Sequence, residues 1–196
     1  MKNVAVFCSG GGTDFQSIID ANEKERFCNI KVMIASKEGI GAIDRAKAHG
    51  IEFLVFDKND YPNLKTLFSA ISDSLKERGI DYIVLAGYLS ILDGDFVKEY
   101  KNRIINIHPS LIPSFCGMGY YGLKVHKAAL DRGVKITGAT IHFVDEGADT
   151  GKILMQRAVE VLDGDTPESL QQRVLKAEHE MLPLALKNLV NGVYGG

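Results

Sequence analysis

The 196-residue chain contains no tryptophan, only three cysteines and only five prolines. Cys8, Cys28 and Cys116 lack C-x-x-C spacing, so neither a disulfide framework nor a thiolate zinc site is expected. Cys8 sits in an apolar run and reads as a small buried hydrophobe. No apolar stretch approaches the ~20 residues that span a bilayer. Nor does the chain open with a basic segment leading into a long apolar run, so no targeting signal is expected. An excess of one charge is also missing. The net charge of −2 leaves no electrostatic footprint for nucleic acid. These absences point to a soluble, cytoplasmic protein with neither nucleic acid nor membrane as a partner, and leave monomer and homodimer open.

What is present is ordinary for a globular protein: 45% hydrophobic and 24% charged residues. The length suits one domain, residues 1–196. Short β-rich runs over 3–8, 29–36, 52–56, 81–86 and 104–108 alternate with amphipathic stretches over 13–22, 40–49, 63–78 and 93–100. That alternation predicts an α/β fold with a doubly wound, mainly parallel sheet. After residue 118 the pattern changes to a helix over 122–132 and two longer β-rich runs, 137–144 and 152–161. Only a Gly-containing loop separates these two runs, which predicts an antiparallel C-terminal extension of the sheet. A final helix over 167–191 has Thr166 as N-cap and Pro167 at its first position. Pro183 falls inside it and predicts a kink or break.

Three segments carry chemistry. The first is Ser9-Gly10-Gly11-Gly12-Thr13-Asp14, between the first strand and first helix. Glycines let the backbone approach a ligand, and free N–H groups at a helix start favour an anion. No Gly-Lys-Ser/Thr follows, and the dinucleotide fingerprint does not fit. A phosphate monoester site and a plain tight turn both remain open.

The second is Ile104-Ile105-Asn106-Ile107-His108-Pro109, a buried-strand pattern ending in a proline. Residues i and i+2 of a strand share a face, so Asn106 and His108 stand side by side. They do so at the C-terminal sheet edge, where open α/β proteins bind ligands. A carboxamide beside an imidazole can donate two hydrogen bonds to one developing oxyanion. The third segment, Asp145-Glu146-Gly147-Ala148-Asp149-Thr150-Gly151, is either a solvated turn or a loop that brings a carboxylate to His108.

Together the motifs resemble the folate-dependent formyltransferase superfamily. The resemblance rests on Asn106-x-His108-Pro109-Ser110-Leu111-x-Pro113, on Asp149 within Asp-Thr-Gly, and on two runs, Leu85-Ala86-Gly87-Tyr88-Leu89-Ser90-Ile91-Leu92 and Gly138-Ala139-Thr140-Ile141-His142-Phe143-Val144. It implies a Rossmann-like formyltransferase fold, with residues 1–100 as the nucleotide-binding half and 101–196 as the catalytic and folate-binding half. The implied reaction moves the formyl group of 10-formyltetrahydrofolate, the co-substrate, to the amine of glycinamide ribonucleotide in purine biosynthesis.

The implied catalytic set is Asn106, His108 and Asp149. The implied phosphate and ribose contacts are Gly11, Gly12, Thr13, Asp14 and Glu178. Tyr88, Leu89, Ser90, Ile91, Leu92, Val144 and Asp145 would line the folate pocket, and no metal is called for. The chain departs from the family pattern at Asp14, where members usually carry Asn, and at Ser90, where many carry a basic residue. It departs again over 115–122, where many are shorter. The competing readings are a formyltetrahydrofolate hydrolase, in which water replaces the amine, and a non-catalytic nucleotide-binding domain.

Overall fold

A computed structural model describes residues 1–194. In chain order the elements are β1 (Asn3–Cys8), α1 (Thr13–Glu25), β2 (Asn29–Ala35), α2 (Gly41–Ala48), β3 (Glu52–Val55), α3 (Leu64–Glu77), β4 (Tyr82–Leu85), α4 (Gly94–Glu99), β5 (Ile104–His108), α5 (Leu123–Arg132), β6 (Ile136–Phe143), β7 (Ile153–Glu160) and α6 (Pro167–Val190). A 3-10 turn at Lys58–Asp60, which periodicity does not reveal, precedes α3.

The seven strands form one sheet in the order β3-β2-β1-β4-β5-β6-β7. Pairing is parallel from β3 through β5 and antiparallel for β5–β6 and β6–β7, as the sequence predicts. The strand order reverses between β1 and β4, which opens a crevice at their C-terminal ends. There the Leu89 N–H donates to Ser9 Oγ at 3.0 Å and the Ser9 N–H donates to the Gly87 carbonyl at 3.2 Å. These bonds fix the first turn to the segment that follows β4.

Strand β1 shows why the sheet is covered on both faces. Val4, Val6 and Cys8 pack under α1, α2 and α6, whereas Ala5 and Phe7 face α3 and α4. All five are fully buried, so the run is continuously apolar, as a central parallel strand requires. Helix α3 is started by Asn63, whose side chain accepts from the Thr66 N–H at 2.9 Å. Helix α6 begins with a reciprocal capping box between Thr166 and Ser169.

The kink or break expected at Pro183 is corrected in part: α6 is one continuous helix from Pro167 to Val190. Pro183 is buried, and its neighbours Met181, Leu182, Ala185 and Leu186 all belong to the core. Burial of that apolar face outweighs the one backbone hydrogen bond that proline removes. Among the described residues no helix is long and apolar enough to cross a membrane.

Within β6 the backbone approaches closely at Gly138, where a Cβ would lie 2.0 Å from the Arg157 carbonyl oxygen and 2.9 Å from Leu111 Cδ2. Gly138→Ala is expected to lower stability by about 1–3 kcal/mol, the usual cost of overpacking. Urea unfolding monitored by circular dichroism measures this, and an unchanged midpoint contradicts the packing described.

Candidate functional site

Strand β5 delivers Asn106 and His108 to the crevice, with His108 only 5% exposed. The His108 ring is oriented by a hydrogen bond from Nε2–H to the Phe115 carbonyl, at 2.9 Å. With that nitrogen occupied as a donor, Nδ1 faces the loop between β6 and β7. Asp149 Oδ2 lies 3.5 Å from it, too long for a formed hydrogen bond and close enough for charge attraction. Of the two readings of the acidic loop, the one that brings a carboxylate to His108 is the arrangement found.

Asp149 is held from several sides. The Gly117 N–H donates to Oδ2 at 2.9 Å, and Asn106 Nδ2 lies 3.5 Å from Oδ1. His142 Nε2 is also 3.5 Å from Oδ1. Burial pushes the Asp149 carboxyl up. The His142 contact, the Gly117 N–H and the charges of His108 and His142 outweigh it and hold the group below the usual carboxylate range. Asp149 also has a φ of 58°, and Phe115 one of 50°. Left-handed backbone is uncommon for residues other than glycine. Both strained positions touch His108.

His142 was not singled out by the sequence reading, although it lies within one of the quoted runs. The signal was cross-strand register: Asn106 of β5 pairs directly with His142 of β6. His142 Nδ1–H donates to the Phe143 carbonyl at 2.8 Å. Nε2 stands between the amide and the carboxylate, 3.2 Å from Asn106 Nδ2 and 3.5 Å from Asp149 Oδ1, and so fixes the Asn106 side chain. His126 of α5 is a further neighbour of His108. It is 1% exposed, and burial, aided by the charge of His108, pushes its pKa down to about 4.

Two cavities meet at this cluster. One, of about 430 Å³, is lined by Asp14, Gly87, His108, His126, Gln171 and Glu178 among others. The second, of about 310 Å³, is lined by Leu85, Ser90, Leu92, His142, Val144 and Asp145. Tyr88, Ile91, Asn106, Met118, Ala148 and Asp149 line both, so Asn106 and Asp149 stand on their common wall, with His108 beside them in the larger cavity. Leu89, Ile91 and Met118 are 63%, 60% and 74% exposed, an uncovered apolar rim suited to a flat ring system. The Tyr88 hydroxyl is buried without a hydrogen-bond partner, and burial pushes its pKa up to about 12.

The first turn is built for close approach. Gly12 is the N-cap of α1 with φ 70°, and a Cβ there would lie 2.8 Å from Ala42 Cβ. No side chain caps α1, so its first N–H groups are available to a ligand. The predicted phosphate and ribose residues do not all reach one cavity. Asp14 and Glu178 line the larger of the two just described. Thr13 lines a neighbouring groove between α1 and α6, whereas Gly11 and Gly12 form the turn itself. Leu89 and Ser90 also border a third cavity with Lys37 and Lys58. Asp145 is turned into its own loop, accepting from Thr150 Oγ1 at 2.6 Å and the Gly147 N–H at 3.1 Å.

A family model described as formyl transferase matches residues 2–186. The chain belongs to the formyl transferase family. Among its relatives, the chloroplastic phosphoribosylglycinamide formyltransferase of Arabidopsis thaliana is 42% identical over 182 residues, covering 92% of this chain and 62% of the relative. The chain thus spans less than two thirds of that relative's length. The phosphoribosylglycinamide formyltransferase of Bacillus subtilis (strain 168) is 37% identical over 191 residues, 97% of this chain and 95% of the relative. The crystal structure of phosphoribosylglycinamide formyltransferase from Bacillus halodurans superposes with a TM-score of 0.90 at 36% identity, covering 100% of each chain.

Because the folded Asp149 carboxyl titrates below its ordinary value, its charge stabilises the fold above pH ~4 and that contribution is lost as pH falls through the depressed value. Asp149→Asn is therefore expected to be less stable than the parent at neutral pH, with the gap closing in acid. Urea unfolding at a series of pH values tests this. A gap that stays constant into acid contradicts the assignment.

Proposed function

We propose that the protein transfers the formyl group of 10-formyltetrahydrofolate to the primary amine of glycinamide ribonucleotide, as a single cytoplasmic domain. The observation that carries this reading is that Asn106, His108 and Asp149 converge within 3.5 Å contacts where two cavities share a wall. Two substrates that must exchange a group need such a meeting point, and holding them there removes much of the entropic barrier. Likeness over nearly the whole chain to phosphoribosylglycinamide formyltransferases supports the substrate choice.

In this scheme the phosphate rests on the uncapped N–H groups of α1 at Gly11, Gly12 and Thr13, and the ribose on Asp14 and Glu178. The pterin enters the smaller cavity against Tyr88, Leu92, Val144 and the Asp145 loop. Leu89, Ser90 and Ile91 flank its benzoyl tail. The amine nitrogen attacks the formyl carbon, and the carbonyl π electrons move onto oxygen. No enzyme nucleophile takes part.

The oxyanion accepts from the Asn106 N–H that in the resting site makes only the long 3.5 Å contact to Asp149, and from Nδ1–H of His108. Since Nε2–H is tied to Phe115, Nδ1 can donate only in the imidazolium form, and the Asp149 carboxylate lies 3.5 Å away as its counter-charge. Asp149 takes the proton that the attacking amine loses, directly or through water. Asp149 then returns that proton, directly or through water, to N10 of the folate as collapse of the tetrahedral intermediate breaks the carbon–N10 bond, and tetrahydrofolate leaves. His142 positions Asn106 and Asp149 without touching substrate.

His108→Ala is expected to retain the fold and lose ~10²–10³ in kcat, the usual effect of removing one oxyanion donor. Turnover is followed as tetrahydrofolate release with and without glycinamide ribonucleotide. Release only with the amine present supports transfer. Equal release without it identifies water as the acceptor and overturns the reading, as does near-normal turnover by a well-folded His108→Ala variant.

A further inference from the structure

One end of the larger cavity holds two carboxylates for which the transfer chemistry has no use. Asp14 comes from the first turn of α1 and Glu178 from α6, and both line the cavity that contains His108. Glu178 is 5% exposed. Burial, then the charge of Asp14, raises its pKa well above the ordinary value, and no hydrogen bond or cation opposes them. The Asp14 side chain is 13% exposed, and its Oδ1 is buried without a hydrogen-bond partner. Burial raises Asp14 too, and His179 Nε2, 3.6 Å away, pulls it back. The other titratable groups do not neutralise the pair. The Cys8 thiol of β1 is pushed up by burial and by Asp14, so it stays neutral. His126 is neutral as well, and His108 and Asp149 are engaged with each other across the cavity. Arg45 of α2 is occupied with the Gly11 carbonyl and Gln16.

Two carboxylates in one desolvated site do not both ionise near neutrality. A carboxylate only accepts hydrogen bonds, whereas a protonated carboxyl also donates. Phosphate and ribose oxygens beside the α1 N-terminus need donors, and an anion arriving there is repelled by a doubly charged pair. We propose that Asp14 and Glu178 hold one proton between them and present it as a hydrogen-bond donor to the phosphorylated ribose of the ligand. The proposal rests on the ribonucleotide reading above and adds a proton to it. Glu178, the more deeply buried member with no cation beside it, carries the proton. Asp14, raised by burial and only partly offset by His179, is the other member of the pair. Binding of a phosphate dianion raises the pair's hold on that proton further. As pH rises into the range where the free pair begins to ionise, binding takes up a proton and weakens.

The test is calorimetry with ribose 5-phosphate at a series of pH values from neutral into the alkaline range, each in buffers of differing ionisation enthalpy. This probe has no amine, and its phosphate, with a second pKa of about 6, is already dianionic there. Proton uptake is expected for the parent protein and not for Glu178→Gln, whose amide donates without titrating. Equal uptake by both, or binding without uptake by the parent, overturns the proposal. Carboxyl carbon-13 titration of the free protein gives a readout that needs no ligand. One protonated carboxyl at neutral pH, absent in Glu178→Gln, is expected, and a fully ionised set overturns the shared proton. Failure to bind ribose 5-phosphate while that carboxyl is seen overturns its role as a donor to the ligand. Proton uptake without any formyl transfer would leave the pair standing and remove the transferase reading instead.

Discussion

Keeping Asp149 ionised in a place where burial opposes its charge is the constraint on which the rest of the site depends. The carboxylate stays charged because the Gly117 N–H, His142 and His108 surround it. Each partner is itself held by backbone, His108 by the Phe115 carbonyl and His142 by the Phe143 carbonyl. The ring nitrogens facing Asp149 are thereby fixed, and the amide of Asn106 is fixed through His142. Such a network needs no rearrangement when charge develops on a bound oxygen, which is where preorganised donors gain their advantage over water.

The sheet explains how these groups come together from segments distant in sequence. Parallel pairing through β5 carries the first turn, the segment after β4 and the Asn106–His108 pair to one edge. The switch to antiparallel pairing then returns the chain along β6, placing His142 opposite Asn106. The loop that follows brings back Asp149.

Much of the fold was legible because its signals are local. Alternating short apolar runs and amphipathic stretches gave the parallel half, and the two long β-rich runs gave the antiparallel half. The capping pattern Thr166-Pro167 marked the start of α6. The helix does not break at Pro183 because a proline's local cost says nothing about the core contacts that offset it. At the site, Asn106 and His108 could be paired from the period-two alternation of a strand. His142 could not, since a histidine in an apolar run has no distinguishing local pattern.

The sequence by itself determined the α/β class, the glycine turn at the head of α1, the shared face of Asn106 and His108, and membership of a formyl-transfer family through ordered motifs. Only the tertiary structure decided that Asp149 reaches His108, that Phe115 and Gly117 orient the two, and that Asp14 and Glu178 lie in one buried cavity. The physical reason is the range of the forces involved. Propensity, capping and strand alternation act between near neighbours along the chain. Charge stabilisation and desolvation depend on which distant segments the packed sheet brings within a few ångströms.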